Sequence, residues 1–204
     1  MHPSDHALLV IDLQNDFCPG GALAVEGGGD IVPDVNAALD RFAVRVLTQD
    51  WHPPRHSSFA SEHPGRAPLE TVEMDYGPQI LWPDHCVQGT DGAAFHPDLA
   101  TDRADLIIRK GFRREIDSYS AFFENDHATP TGLDGYLRTR GVRHVTLMGL
   151  ATDFCVKWSA LDAATLGYAV TVQEGACRGI DLGGSLSAAR DEMRAAGVML
   201  EAGP

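Results

Sequence analysis

The sequence predicts an α/β fold: a three-layer sandwich in which a six-stranded, mainly parallel sheet is flanked by helices. Three observations point to it. The apolar runs are short and almost uniformly apolar, as strands covered on both faces are. They alternate with stretches of helical period. Acidic, basic or thiol side chains recur at or just past the C-terminal ends of these runs, and open α/β sheets bind their ligands along that edge.

The elements follow in chain order. Ala7-Leu8-Leu9-Val10-Ile11 reads as a buried strand that ends at Asp12. Residues 32–42 carry apolar side chains at helical spacing, with Pro33 near the start, where a missing N–H does no harm. Arg45-Val46-Leu47-Thr48 is a second strand, running into Asp50. Residues 51–105 read as irregular, and prolines crowd between Pro53 and Pro97. A loop that long in a compact domain is usually functional. Leu106-Ile107-Ile108 is a third strand, ending at Lys110, and 132–140 suggests a helix. Val145-Thr146-Leu147-Met148 is a fourth strand, followed by a helix reaching Gly167 and capped by Thr152 or Asp153. Val170-Thr171-Val172 is a fifth strand, 185–196 a helix, and Val198-Met199-Leu200 a sixth strand.

Composition narrows the classes of function. The 204 residues are enough for a single domain, 1–204, with a substantial core. A formal net charge of −13 argues against nucleic acid or an anionic membrane as partner, since both need clustered Lys and Arg. It leaves a small-molecule substrate open. No apolar run approaches the ~20 residues of a membrane span. The start is polar and the first apolar run short, so no secretory signal is expected and the expected location is cytoplasmic. Cys18, Cys86, Cys155 and Cys177 are widely spaced, which suits free thiols in a reducing compartment.

Cys155 follows Gly149-Leu150-Ala151-Thr152-Asp153-Phe154, a strand, a tight turn and a helix start. A thiol there meets the positive end of the helix dipole, which favours the nucleophilic thiolate. The same turn frees backbone N–H groups, and those of Ala151 and Cys155 are placed to receive an oxyanion. Asp12 is a candidate to take the thiol proton, and Lys110 to hold Asp12 ionised or to stabilise the thiolate. Histidine is the commoner base for cysteine, and position alone leaves one open.

A second cluster is Gln49-Asp50-Trp51-His52-Pro53-Pro54-Arg55-His56. In an extended segment Asp50 and His52 point to the same side. A carboxylate with imidazole suits one divalent ion such as zinc, iron or manganese. His85, in Leu81-Trp82-Pro83-Asp84-His85-Cys86-Val87, is the chosen third ligand, and His56 a candidate fourth. Three protein ligands leave positions open for water or substrate.

Five segments together resemble the nicotinamidases, of the isochorismatase-like cysteine hydrolase group: 11–17, 49–53, 82–90, Lys110-Gly111 and 149–156. The likeness spans nearly the whole chain. It implies the isochorismatase-like form of the sandwich and a catalytic triad of Asp12, Lys110 and Cys155. It implies metal ligands Asp50, His52 and His85, with His56 or water completing the shell. It also implies oxyanion amides at Ala151 and Cys155 beside a cis Leu150–Ala151 peptide. Phe17, Trp82, Tyr119, Leu150 and Phe154 would line the substrate, with 117–123 as a covering loop. The implied reaction is hydrolysis of nicotinamide, and of pyrazinamide, through a Cys thioester, with the pyridine nitrogen on the ion. A place in recycling nicotinamide toward NAD and a homo-oligomer are implied in the same way. A sister amidase acting on N-carbamoyl compounds would keep the triad without needing the metal ligands, and a catalytically inert member of the fold would need neither.

Overall fold

The structure is a computed structural model, and it describes residues 3–203. Its centre is a six-stranded sheet in the order β5-β2-β1-β6-β7-β8, built from β1 (His6–Ile11), β2 (Val44–Asp50), β5 (Leu106–Lys110), β6 (His144–Leu150), β7 (Ala169–Arg178) and β8 (Met199–Glu201). Every pairing within it is parallel. Four helices cover it: α1 (Val32–Leu39), α2 (Leu133–Thr139), α3 (Lys157–Thr165) and α4 (Ser185–Ala195). Among the described residues no helix is long and apolar enough to cross a membrane.

Apolar alternation on the central strand explains the layering. Ala7, Leu9 and Ile11 of β1 enter one core cluster with Val145, Leu147 and the apolar face of α3. Leu8 and Val10 enter the other, with Val32, Val35 and Leu39 of α1. All six residues of β1 are buried, so this strand has no solvent face to encode.

Three elements differ from the sequence reading. Residues 51–105 are not wholly irregular: Thr71–Met74 (β3) and Gly77–Ile80 (β4) pair as an antiparallel hairpin, whose exposure alternates too weakly to show in a Pro-rich stretch. β7 extends to Arg178, and after a register shift Cys177 and Arg178 pair with Gly149 and Leu150. Neither Thr152 nor Asp153 caps the fourth-strand helix. A π-helical turn (Thr152–Val156) precedes α3, and no side chain caps either. Asp153 instead accepts from the Ile180 and Asp181 N–H groups and from the Ser185 hydroxyl, anchoring the loop after β7.

Candidate active site

The carboxyl edge of the sheet carries the chemistry. β1 ends in Asp12, β2 in Asp50 and β5 in Lys110, and the turn after β6 carries Cys155. Register places these ends level, with Asp50 paired to Lys110 across β2 and β5. Gly149 permits the close approach of β6 to β1: at φ +126, a Cβ there would lie 2.1 Å from the Ile11 carbonyl oxygen. The peptide between Leu150 and Ala151 is cis.

Lys110 is the hub. Its ammonium, fully buried, lies 2.8 Å from Asp12 Oδ2 and 2.8 Å from Asp50 Oδ1. It donates to the Ser118 carbonyl at 2.8 Å and reaches Cys155 Sγ at 3.5 Å. Burial opposes charge on the lysine, but Asp12 and Asp50 together hold it well above its ordinary value. Asp50 is held well below the usual carboxylate range: burial works against this, and Lys110 and His52 overcome it. Asp12 goes the other way. Burial raises it, Lys110 opposes and Asp50 adds, so its carboxyl sits above the ordinary value. Thr48 donates its hydroxyl to Asp12 Oδ1 at 2.6 Å, while Oδ2 has no directed hydrogen bond.

Cys155 departs from expectation. Burial pushes its thiol well above the usual value, Lys110 opposes this, and Asp12 and Asp50 push further. The Asp12 carboxyl is among the groups that set this direction, and it remains the candidate to take the thiol proton. The other cysteines are buried and free.

Asp50 divides its two oxygens between two tasks. Oδ1 meets Lys110, and Oδ2 lies 3.2 Å from His52 Nε2 and 3.6 Å from His85 Nε2. Both rings are oriented through their other nitrogen: His52 Nδ1 bonds the Gly111 carbonyl at 2.9 Å, and His85 Nδ1 bonds the Pro83 carbonyl at 2.8 Å. A carbonyl only accepts, so each Nδ1 carries a proton and each Nε2 is the nitrogen turned toward Asp50. A side chain at position 111 would place its Cβ 2.5 Å from His52 Cε1, so glycine is required for that contact. Two imidazole nitrogens and a carboxylate oxygen converging in a buried site fit a divalent cation.

His56 does not join that group. Its Nε2 donates to the Arg113 carbonyl at 2.9 Å, and its Nδ1 meets the Ser58 hydroxyl at 2.8 Å. Its ring lies 4.3 Å from that of His52, tilted at 40°, and it falls into a separate set with His52 and Asp117. Burial and His52 lower its pKa, which suits a neutral ring bracing the 113–116 loop.

A cavity opens above these groups. Phe17, Trp82, Tyr119 and Phe154 line it, with Ala151 and Cys155 on one side and Asp50 and His85 on another. Trp82 and Phe154 meet edge to face at 5.0 Å. Leu150 does not line the cavity: it is fully buried in the core on the α1 side of the sheet. Leu23, Ile180 and Asp117 do line it, and the sequence did not single them out as wall residues. Leu23 and Ile180 lie in loops without period. Asp117 falls within the expected covering loop, but a lone loop carboxylate carries no signal of its own.

Comparison with known proteins follows the same lines. The Isochorismatase domain model matches residues 6–202. The nicotinamidase of Acinetobacter baylyi is 55% identical over 192 residues, covering 94% of this chain and 90% of that protein. Among solved structures, an Acinetobacter baumanii nicotinamidase/pyrazinamidase superposes with a TM-score of 0.97 at 55% identity, over 98% of this chain and 97% of that one. A pyrazinamidase of Pyrococcus horikoshii in complex with zinc superposes with a TM-score of 0.78 at 37% identity, over 96% of this chain and 98% of that one.

Proposed function

The chain belongs to the isochorismatase family, and from that premise we propose that it is a nicotinamidase, hydrolysing nicotinamide to nicotinate and ammonia through a thioester on Cys155. Pyrazinamide, with a ring nitrogen in the same position, is a second substrate. One observation carries the reading: a single buried ammonium, that of Lys110, lies within 2.8 Å of both Asp12 and Asp50 and 3.5 Å from the Cys155 sulfur. Nucleophile, base and ion ligand thus share one cation. A sister amidase on N-carbamoyl compounds has no use for the Asp50, His52 and His85 group.

Asp50, His52 and His85 would hold the ion, for which zinc is our assignment. Bound there, it would supply a Lewis acid for the pyridine nitrogen. The aromatic walls then hold the flat ring by stacking and edge contacts. Asp12 accepts the Cys155 proton as sulfur attacks the amide carbon. The backbone N–H groups of Ala151 and Cys155 receive the oxyanion. Asp12 returns the proton to nitrogen, the C–N bond breaks and ammonia leaves. A water then gives a proton to Asp12 as it attacks the thioester. The C–S bond breaks, the sulfur regains the proton from Asp12, and nicotinic acid departs, giving its own proton to ammonia to become nicotinate.

The test is ammonia release from nicotinamide with and without a chelator, beside Cys155→Ala. Wild type should turn over and lose activity to the chelator. Cys155→Ala should lose at least about 10⁴-fold in kcat with its ion content unchanged. An inactive wild type, or substantial turnover by Cys155→Ala, would overturn the reading.

A further inference from the structure

Gln79 lies on β4, outside every group so far assigned to the reaction, and is 1% exposed. Burying a primary amide is unfavourable unless its donors and acceptor are all matched. Here they are. Nε2 turns its two hydrogens toward three acceptors that share them: Asp117 Oδ2 at 2.8 Å, the Tyr119 hydroxyl at 3.0 Å and the Ile80 carbonyl at 2.7 Å. Oε1 accepts from Asn125 Nδ2 at 3.1 Å and from the Tyr76 hydroxyl at 3.2 Å. The Asp117 carboxylate can only accept, which fixes which end of the amide faces it.

The partners are the cavity wall. Tyr119 and Asp117 both line it. The Tyr119 hydroxyl also accepts from Trp82 Nε1 at 3.1 Å, and the Tyr119 N–H donates to Asn125 Oδ1 at 2.9 Å. Asp117 Oδ1 takes the Ser118 N–H and stands 4.0 Å from His52 Nε2. One side chain on the hairpin therefore ties two aromatic walls to the carboxylate beside the ion ligands. None of its hydrogen bonds goes to Asp12, Lys110 or Cys155.

We propose that Gln79 is a positioning residue for the substrate ring, setting the width of the cavity through Tyr119 and Asp117; this rests on the proposed nicotinamidase activity. Its effect belongs in substrate binding rather than in the chemical step. A residue holding only the hairpin would instead change stability and leave ring affinity alone.

Steady-state kinetics with nicotinamide on the ion-loaded enzyme, with melting temperatures alongside, test this. Gln79→Leu keeps the volume and removes the amide; KM should rise about tenfold while kcat stays within about threefold. Gln79→Glu sets a second carboxylate against Asp117 and should raise KM further, by about a hundredfold. The exchange Gln79→Glu with Asp117→Asn rebuilds the acid–amide pair with its ends reversed. It should bring KM back to within about threefold of Asp117→Asn alone, an interaction that independent sites would not show. The exchange also keeps the test alive if Gln79→Leu does not fold. A Gln79→Leu enzyme with KM within twofold of wild type, or an exchange with no recovery, overturns the inference. An inactive wild type overturns the proposed function, and this inference with it. An active wild type with an unmoved KM overturns this inference alone.

Discussion

The two halves of the site are built differently. One half consists of strand ends: Asp12, Asp50 and Lys110 leave adjacent parallel strands at matched register and meet within 2.8 Å. The other half is loop and hairpin. Phe59, Gln79, Trp82, His85 and Tyr119 are fixed by side-chain bonds and ring contacts between segments distant in sequence. The strand half concentrates buried charge, and its members shift one another's protonation. The loop half is aromatic and amide-rich, and it shapes. Chemistry is thus placed where the backbone is most constrained, and fit where side chains can be tuned one contact at a time.

If that division holds, damage to the strand half should appear in kcat. Lys110→Met is the strongest probe, because it leaves Asp12 and Asp50 buried without their shared cation. We expect a loss of at least about 10³-fold in kcat, together with about 3–5 kcal/mol of stability, read by denaturant titration. A stable and active Lys110→Met would dissolve the idea of a common hub.

The loop half is probed next by Phe59→Ala. Phe59 is fully buried and packs edge-on to His52 at 5.5 Å and against His85 at 5.6 Å. The cavity left behind should remove about 3–5 kcal/mol and weaken ion affinity about tenfold in a chelator competition. With the ion saturating, kcat should stay near wild type; a large fall in kcat at full loading would show that the halves are not separable.

Thr48→Val sharpens the strand half without emptying it. It removes the 2.6 Å bond to Asp12, one of the contacts that hold this carboxyl down. The Asp12 pKa should rise, so the acidic limb of kcat/KM moves to higher pH. At neutral pH kcat should fall about tenfold with KM unchanged. A limb moving to lower pH would contradict Asp12 as the base.

The smallest expected effect lies at the opposite edge of the sheet, away from both halves. There Arg45 bonds Asp105 through its backbone N–H at 2.8 Å and its guanidinium at 3.1 Å. Burial opposes, but the Arg45 bonds win and hold the Asp105 carboxyl below its ordinary value. A depressed acid stabilises the fold fully above its unfolded pKa, about 4, and loses that contribution as pH falls through the folded pKa. Arg45→Gln should therefore lose about 0.5 kcal/mol at pH 7 and match wild type near pH 2. A gap that persists in acid would assign the loss to packing instead.

Legibility followed the same line as architecture. Asp12, Asp50, Lys110 and Cys155 could be read because each closes or follows a short apolar run, and parallel strands leave one edge for their ends. His52 and His85 could be read as ligands by residue type and spacing, but not the Gly111 and Pro83 carbonyls that choose their tautomers. His56 stood in the sequence only as a candidate fourth ligand. Only the loop at 113–116, folded across it, gives it another task.

What the sequence alone determined, then, is the layered sheet and the identity of the side chains at its carboxyl edge, because burial pattern and strand period act locally along the chain. Only the tertiary structure decided the direction in which Asp12 and Cys155 titrate, since their burial and their charged neighbours come from four separate elements. It likewise decided that Gln79 braces the cavity and that Leu150 does not line it, because contacts closed between distant segments leave no period to read.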